Sequence, residues 1–558
     1  MDILTPKPFP FDYEDWKKRP FNERAKMLCQ AWAVQGYGAP LSAYLFYVLK
    51  IGLFIWLWFV FTSFSTELGG WRDVGSWWFK PDALLRAILW SMVFEGLGMA
   101  SGSGPLTARY LPPFGGVFYF LRPGTIKMPY LPQIPVLGGY KRTWVDVILY
   151  LAFIVSIFRA LIAPTIDASL LIPIVVLLPI LACLDRTIFL SARGEHYFIA
   201  TLCFLFPEQI IPGTKVVWWG VWFWAATSKL NRHFPSVIGV MVSNSGVLRF
   251  PGLRKALYKN YPDDLRPGPL ATNLAHFGTA VEYTFPLILI FSDGGTLTLI
   301  GLIVMLGFHT FITANVPMAV PLEWNFTMVY GGFVLFGHHA GTSLFSLSDP
   351  LLAGLIITAV VILPVIGNLY PAWVSFLISM RYYAGNWAYG VWLFKGDSEE
   401  KLNQHLTKPA STIPHQLNRF YSEQTIDSLL EMVIGFRMMH LHGRVLHDLI
   451  PKAVDNIEEY VWRDGELVCG VVLGWNFGDG HLHREPLLEA VQSDCNFESG
   501  ELRCIFVESQ PFGKPYHEWR IVDAKDGLIE SGRTQIDDII NNQPWPTLVN
   551  KKDLEKTG

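Results

Sequence analysis

Charge is what this sequence has little of. Asp, Glu, Lys and Arg make up 16% of its 558 residues, against roughly 25% in an ordinary soluble domain. Neither sign is in excess: the formal net charge of −3 excludes the strongly basic surface that nucleic acid demands. Cysteine is sparse as well. Cys29, Cys183, Cys203, Cys469, Cys495 and Cys504 stand far apart with no CxxC pair, which excludes a zinc ribbon or a thioredoxin-type motif and leaves disulfides unnecessary. The first forty residues lack a short apolar core followed by a small-residue cleavage site, so no signal peptide is expected. The C-terminal tail, from about residue 396, also lacks solenoid repeats and low-complexity tracts.

Apolar and aromatic residues fill the chain instead. Hydrophobic residues reach 51% and aromatic residues 15%, with a mean hydropathy of +0.30, the composition of an integral membrane protein. A bilayer core requires about 20 apolar residues per helix. On that ruler there are about ten candidate spans, near 41–65, 84–104, 143–163, 167–190, 196–212, 215–231, 270–291, 295–316, 320–337 and 351–380. The expected architecture is an all-α polytopic membrane bundle with a C-terminal soluble α+β domain. Its parts are an N-terminal cytoplasmic segment, 1–40, a transmembrane domain, 41–395, and the soluble tail, 396–558. Six Lys and Arg residues precede the first span and five lie between residues 105 and 142. With ten spans, the positive-inside rule then puts both termini in the cytoplasm of a multi-pass cell-membrane protein. In the tail, "IDSLLEMVIGFRMMHLHGRVLHDLI" has helical apolar spacing. The stretches "EYVWRDGELVCGVVLGW" and "EWRIVDAKDGLIESG" read as strand, turn, strand.

Ionisable residues inside apolar segments are costly and mark functional candidates. Three stand out: His196 in "ARGEHYFIATLCFLFP", Lys229 in "WAATSKLNRHF" and His309 in "LIVMLGFHTFITANVP". Three separate spans deliver them to a similar depth, which predicts one shared cavity. Glu282 and Glu323 offer carboxylates nearby, and Trp222 and Trp224 of "VVWWGVWFW" an aromatic wall. Trp222, Trp224, Glu282, Trp324 and Asn325 are the substrate-binding candidates. The plainer alternatives are a lysine snorkelling to the headgroups, histidines hydrogen-bonding between helices, and an interfacial tryptophan belt.

Over about residues 180–350 the chain resembles the vitamin K-dependent gamma-carboxylase superfamily and its horizontally transferred transmembrane relatives. The resemblance rests on the order of "EHYFIATLCFLF", "VWFWAATSKL", "HTFITANVPMAVPLEWNFTMVYGGFVLF" and "TSLFSLSDP". The whole chain is more similar to an uncharacterised family of bacterial-type transmembrane proteins within or beside that superfamily. The resemblance implies an enzyme performing base-assisted redox or carbanion-type chemistry on a lipophilic substrate. Lys229 would be the base and His196 and His309 its polar partners, with a reduced quinone, O2 and CO2 as reactants. The rival reading is a non-enzymatic membrane protein that binds or transports a lipid or other hydrophobe. A remoter one is a di-iron oxygenase using His440, His442, His447, His481 and His483, although His440 and His442 cannot share a helix face. No metal site is assigned. The glycine-rich "GWNFGDGHLH" fits neither a P-loop nor a dinucleotide fingerprint and reads as a tight turn. The expected partners are the bilayer and a lipophilic small molecule.

Overall fold

The computed structural model describes residues 3–100, 114–134, 138–315, 321–382, 384–548 and 550. Among the described residues, five helices are long and apolar enough to cross a membrane: Leu41–Thr62, Trp144–Ile162, Pro269–Phe291, Gly295–Thr313 and Pro350–Leu369. Their outer faces carry exposed aliphatic rows, such as Leu297, Ile300 and Ile303, where lipid replaces protein.

The expectation of about ten spans is therefore cut back: five helices have that length and composition, and each of the other segments is shorter or enclosed by protein. The segment read as 84–104 forms the 16-residue helix Pro81–Gly96, buried throughout from Ala83 to Gly96; the rest of that segment, 101–104, lies outside the described residues. Its Arg86 donates to Phe61 O (3.2 Å), Leu161 O (2.5 Å) and Ala163 O (2.7 Å), so it ties off the ends of two spans. The segment 167–190 stops at Leu184 after 17 residues. Segment 196–212 breaks into a π-turn, Gly194–Phe198, and a single helical turn, Ile199–Cys203. Segment 320–337 gives the 11-residue helix Leu322–Gly332 and then another π-turn. The helix Ile210–Ser228 has 19 residues, of which Trp218, Trp222, Trp224 and Lys215 are buried. A helix that is apolar on every side is buried, and its composition does not say whether in lipid or in protein.

The strands fall in two groups. A hairpin of β1 (Tyr258–Asn260) and β2 (Asp264–Pro267) lies between two apolar helices. The rest are β3 (Tyr389–Lys395), β4 (Tyr460–Asp464), β5 (Leu502–Val507), β6 (Tyr516–Asp523) and β7 (Gly527–Gln535). They form one antiparallel sheet in the order β4-β3-β5-β6-β7. The hairpin expected in "EWRIVDAKDGLIESG" is β6–β7. The one expected in "EYVWRDGELVCGVVLGW" is not formed. Only β4 is a strand there, and Gly465–Leu473 is a helix whose N-cap Asp464 accepts from Glu466 N at 2.9 Å. An Asp-Gly pair starts a turn or caps a helix, and the all-buried run that follows has no polar face to separate the two by period.

The N-terminal helix Phe21–Gln35 packs directly on the tail helix Glu423–Met439. The Trp32 and Phe436 rings stand 5.4 Å apart, Phe21 stacks on Trp462 at 5.8 Å and Tyr13 donates to Asp427 at 2.6 Å. A knot of imidazoles joins the tail to the helix bundle. His233, just beyond the Lys229 helix, shares a 2.9 Å hydrogen bond with His517 of β6. His442 donates through Nδ1 to Gly385 O, and His440 to Phe436 O, each at 2.7 Å. Burial holds His440 down to about 3, His517 to about 4 and His442 well below the ordinary histidine range.

These three histidines are neutral in the fold and protonate freely once unfolded. Their contribution is present above the unfolded value near 6.5 and is lost as pH falls towards 4, by on the order of 3 kcal/mol for a histidine held near 4. The detergent-solubilised protein should accordingly show a Tm that falls between pH 6.5 and 5, above most carboxylate titration. His517→Gln should flatten that fall. An unchanged Tm across this window would show that the imidazoles do not govern acid stability.

Candidate functional site

The site grows out of the Ile210–Ser228 helix. Its indoles fix the neighbouring helices: Trp218 donates to Met328 O at 3.1 Å, a close approach that needs glycine opposite. A Cβ on Gly331 would stand 2.6 Å from the Trp218 ring. One turn on, Trp222 Nε1 donates to His309 Nε2 at 3.1 Å, and His309 Nδ1 faces Asn325 Oδ1 at 2.8 Å. An indole N–H can only donate, so Nε2 accepts and Nδ1 carries the proton. The same arrangement recurs deeper: Trp324 Nε1 donates to His196 Nε2 at 2.9 Å, and His196 Nδ1 lies 3.2 Å from Glu195. Both imidazoles thus already spend their Nε2 lone pairs on indoles.

Lys229 ends the helix. Its Nζ donates to Ala225 O at 3.0 Å and pairs with Glu282 of the Pro269–Phe291 helix. With 9% of the side chain exposed, it is not snorkelling to a headgroup layer.

These groups surround one cavity of about 720 Å³, lined by Trp222, Lys229, Glu282, His309, Trp324 and Asn325 among mostly apolar neighbours. His196 does not line it but stands behind Trp324 and holds that ring in place. Trp224 is not part of it: its Nε1 donates to Val360 O at 2.7 Å, because two residues along a helix turn a side chain to the other face. Glu323 is fully buried 3.3 Å from Lys50, outside the cavity wall. The cavity meets the surface at Phe277, Leu274 and Phe311, all apolar and all exposed.

Several lining residues were not singled out by sequence. Arg193, Tyr382 and the tail residues Glu466, Asn476 and Phe477 close the inner end. Arg193 stands three positions from His196, in "ARGEHYF", and its place directly before an apolar segment was the available signal. The tail residues left none, since a floor built by a distant domain is a matter of tertiary packing. Burial pushes the Glu466 carboxyl up to about 7, against the pull of the Arg437 guanidinium. Of the histidines of the di-iron alternative, His440 and His442 lie together, 5.6 Å between ring centroids, each donating to a backbone carbonyl, and among the described residues no group of three or more His, Cys, Asp or Glu side chains is arranged to hold a metal ion.

Long apolar helices with exposed aliphatic faces, around a cavity that opens on that same face, make this a membrane-spanning helical protein. The family model described as "Transmembrane protein of unknown function (DUF3556)" matches residues 1–552, and the chain belongs to that family. No curated protein and no solved structure matches it. The resemblance to the gamma-carboxylase superfamily gains no support from these comparisons.

The Lys229–Glu282 pair sets a test of the site's electrostatics. Removing one partner strands a charge in an apolar wall, at a cost of about 3–5 kcal/mol, whereas replacing both by apolar groups is close to neutral. Lys229→Met and Glu282→Leu should each lower the Tm in detergent, and the double variant should recover most of the loss. Additive losses in the double variant would show that the two groups act independently.

Proposed function

We propose that the protein binds a lipophilic small molecule in the cavity beside Lys229, drawing it from the surrounding bilayer. The observation that carries this reading is the cavity itself. Its size falls in the range of small-molecule sites, its walls are apolar, and a few polar groups converge inside it. Its mouth is bordered by exposed Phe277, Leu274 and Phe311 on or beside the spans Pro269–Phe291 and Gly295–Thr313. A ligand entering there passes from hydrocarbon to hydrocarbon and leaves its chain in an apolar environment throughout.

The division at 1–40, 41–395 and 396–558 enters this proposal with one modification. The N-terminal segment and the tail act as a single body on one face of the membrane, which we take to be the cytoplasmic face, and that body supplies the cavity floor. Their mutual packing requires an even number of crossings, and five long spans are odd. Ala168–Leu184, at 17 residues and about 26 Å, is long enough to supply a sixth.

A second reading, base-assisted chemistry on the bound lipophile, is favoured by the gathering of Lys229, Glu282 and His309 on one apolar cavity. It requires the ligand to displace Glu282 from Lys229. Lys229→Arg distinguishes the two readings: a guanidinium stays charged, so chemistry would cease while binding persists.

Binding is tested by blocking the cavity. Gly307 lines it at an exposed point of the wall, and a Cβ there meets no heavy atom within 4 Å, so Gly307→Phe adds a ring at the cavity edge with no clash at Cβ. Mass spectrometry of the protein purified in nanodiscs should find a lipophile retained by the wild type and reduced about tenfold or more in Gly307→Phe, at equal Tm. Equal retention by both would remove the cavity as the binding site.

A further inference from the structure

The inner end of the cavity holds a charged side chain with nothing to bond to. Arg193 sits in the left-handed backbone region at φ 55°, and its side chain is buried in the bundle. The guanidinium is buried, and Nε, Nη1 and Nη2 all lack a hydrogen-bond partner. It is caged by three rings, Trp324 and Tyr382 at 5.7 Å each and Phe477 at 5.2 Å. Glu195 and Glu95 stand 3.6 and 3.9 Å from Nε, near enough to balance its charge but too far to accept its hydrogens. Facing the same cavity, Asn476 is 1% exposed, and both its Oδ1 and its Nδ2 are without partners. Buried donors and acceptors are almost always satisfied, so a cluster of unsatisfied ones beside an empty volume marks where a bound molecule completes the set.

We propose that Arg193 and Asn476 are the head-group receptor of the cavity, and that the ligand is an uncharged acyl lipid with an ester carbonyl and a free hydroxyl. This rests on the lipophile-binding reading and specifies its ligand. The donors of Arg193 require acceptors, which a carbonyl oxygen supplies. Asn476 offers both a carbonyl and an amide, which a hydroxyl matches by donating to one and accepting from the other. Charge selects the neutral head. Two carboxylates, Glu195 and Glu95, already surround the single guanidinium, so a fatty carboxylate or a phosphate would enter a site of net negative charge. The acyl chain then runs outward past His309 and Trp222 to the mouth at Phe277.

The test uses the full-length protein in nanodiscs and three probes: 1-monooleoylglycerol, oleate at pH 8, and octadecene. Wild type should bind the monoacylglycerol at least about tenfold tighter than the other two, the discrimination expected when a buried polar group is matched or left unmatched. Asn476→Leu, which leaves every charge in place, and Arg193→Lys, which keeps the charge but loses the fork, should each bring the monoacylglycerol down to the octadecene level without changing octadecene binding. Oleate binding as tightly as the ester would overturn the neutral-head assignment. Three probes of equal affinity would overturn head recognition altogether while leaving the lipophile-binding reading intact. If none of them binds, and Gly307→Phe retains as much co-purified lipid as wild type, that underlying reading fails too. Preference for the ester unaltered in both variants would place the receptor elsewhere.

Discussion

A charge inside an apolar bundle survives only where a counter-charge or a set of carbonyls meets it, and that constraint organises this protein. Arg86 is held by three carbonyls at the ends of two spans. Lys127 pairs with Asp146 at 2.6 Å, Arg142 with Asp185, and Lys50 with Glu323 at 3.3 Å. Each of these joins one segment to another, over 19 residues for Lys127–Asp146 and 43 for Arg142–Asp185. Burying such pairs adds little net stability compared with apolar replacements, but breaking one is expensive. They therefore act as fixed points, restricting which helices can be neighbours and in what register. Lys229 and Glu282 belong to this set. Arg193 departs from this set, with its charge balanced and its hydrogens unused, and it lies where the cavity ends.

The membrane character and the five long spans were legible because hydropathy over about 20 residues reports them directly. The other apolar segments were not separable by the same ruler. Pro81–Gly96 reads like a span, yet it is surrounded by protein, and Arg86 within it is the mark of that: a residue needing three carbonyls has helix ends around it. The π-turn at Phe333–His338 interrupts an apolar run that carries no proline or charge cluster to announce a break, whereas the one at Gly194–Phe198 follows Arg193 and contains Glu195 and His196, a cluster that marks the break. In the tail, the β6–β7 hairpin showed because its inner strand, β6, alternates buried with half-buried residues before a Lys-Asp-Gly turn. The Gly465–Leu473 helix did not, because a wholly buried run has no polar face.

The site was legible in part for a similar reason. Lys229, His309, Trp222, Glu282, Trp324 and Asn325 come together around one cavity, and the clue was the cost of placing ionisable groups in apolar segments. Trp224 was misplaced by two residues of helix, a rotation that composition ignores. His196 was found but with a different relation to the cavity: it sets the Trp324 ring rather than facing the space. Arg193 was passed over because arginines near segment ends were weighed as topology signals, and its left-handed backbone and aromatic cage exist only once residues 193, 324, 382 and 477 are assembled.

The cavity floor changes how the tail should be understood. Asp464, the cap of the Gly465–Leu473 helix, is gripped by Arg437 through Nε at 2.8 Å and Nη2 at 2.7 Å, and Arg437 lies on the helix against which the N-terminal segment packs. Glu466, Asn476 and Phe477 reach the cavity from that anchored frame, while Trp222, Lys229 and His309 reach it from the apolar helices. A molecule touching both sets binds only when tail and helices are docked. By linkage it must then strengthen that docking by the free energy it gains. If the cavity binds as proposed, the tail is part of the binding site, and the lysine that ends an aromatic helix serves the wall opposite it, paired across to Glu282.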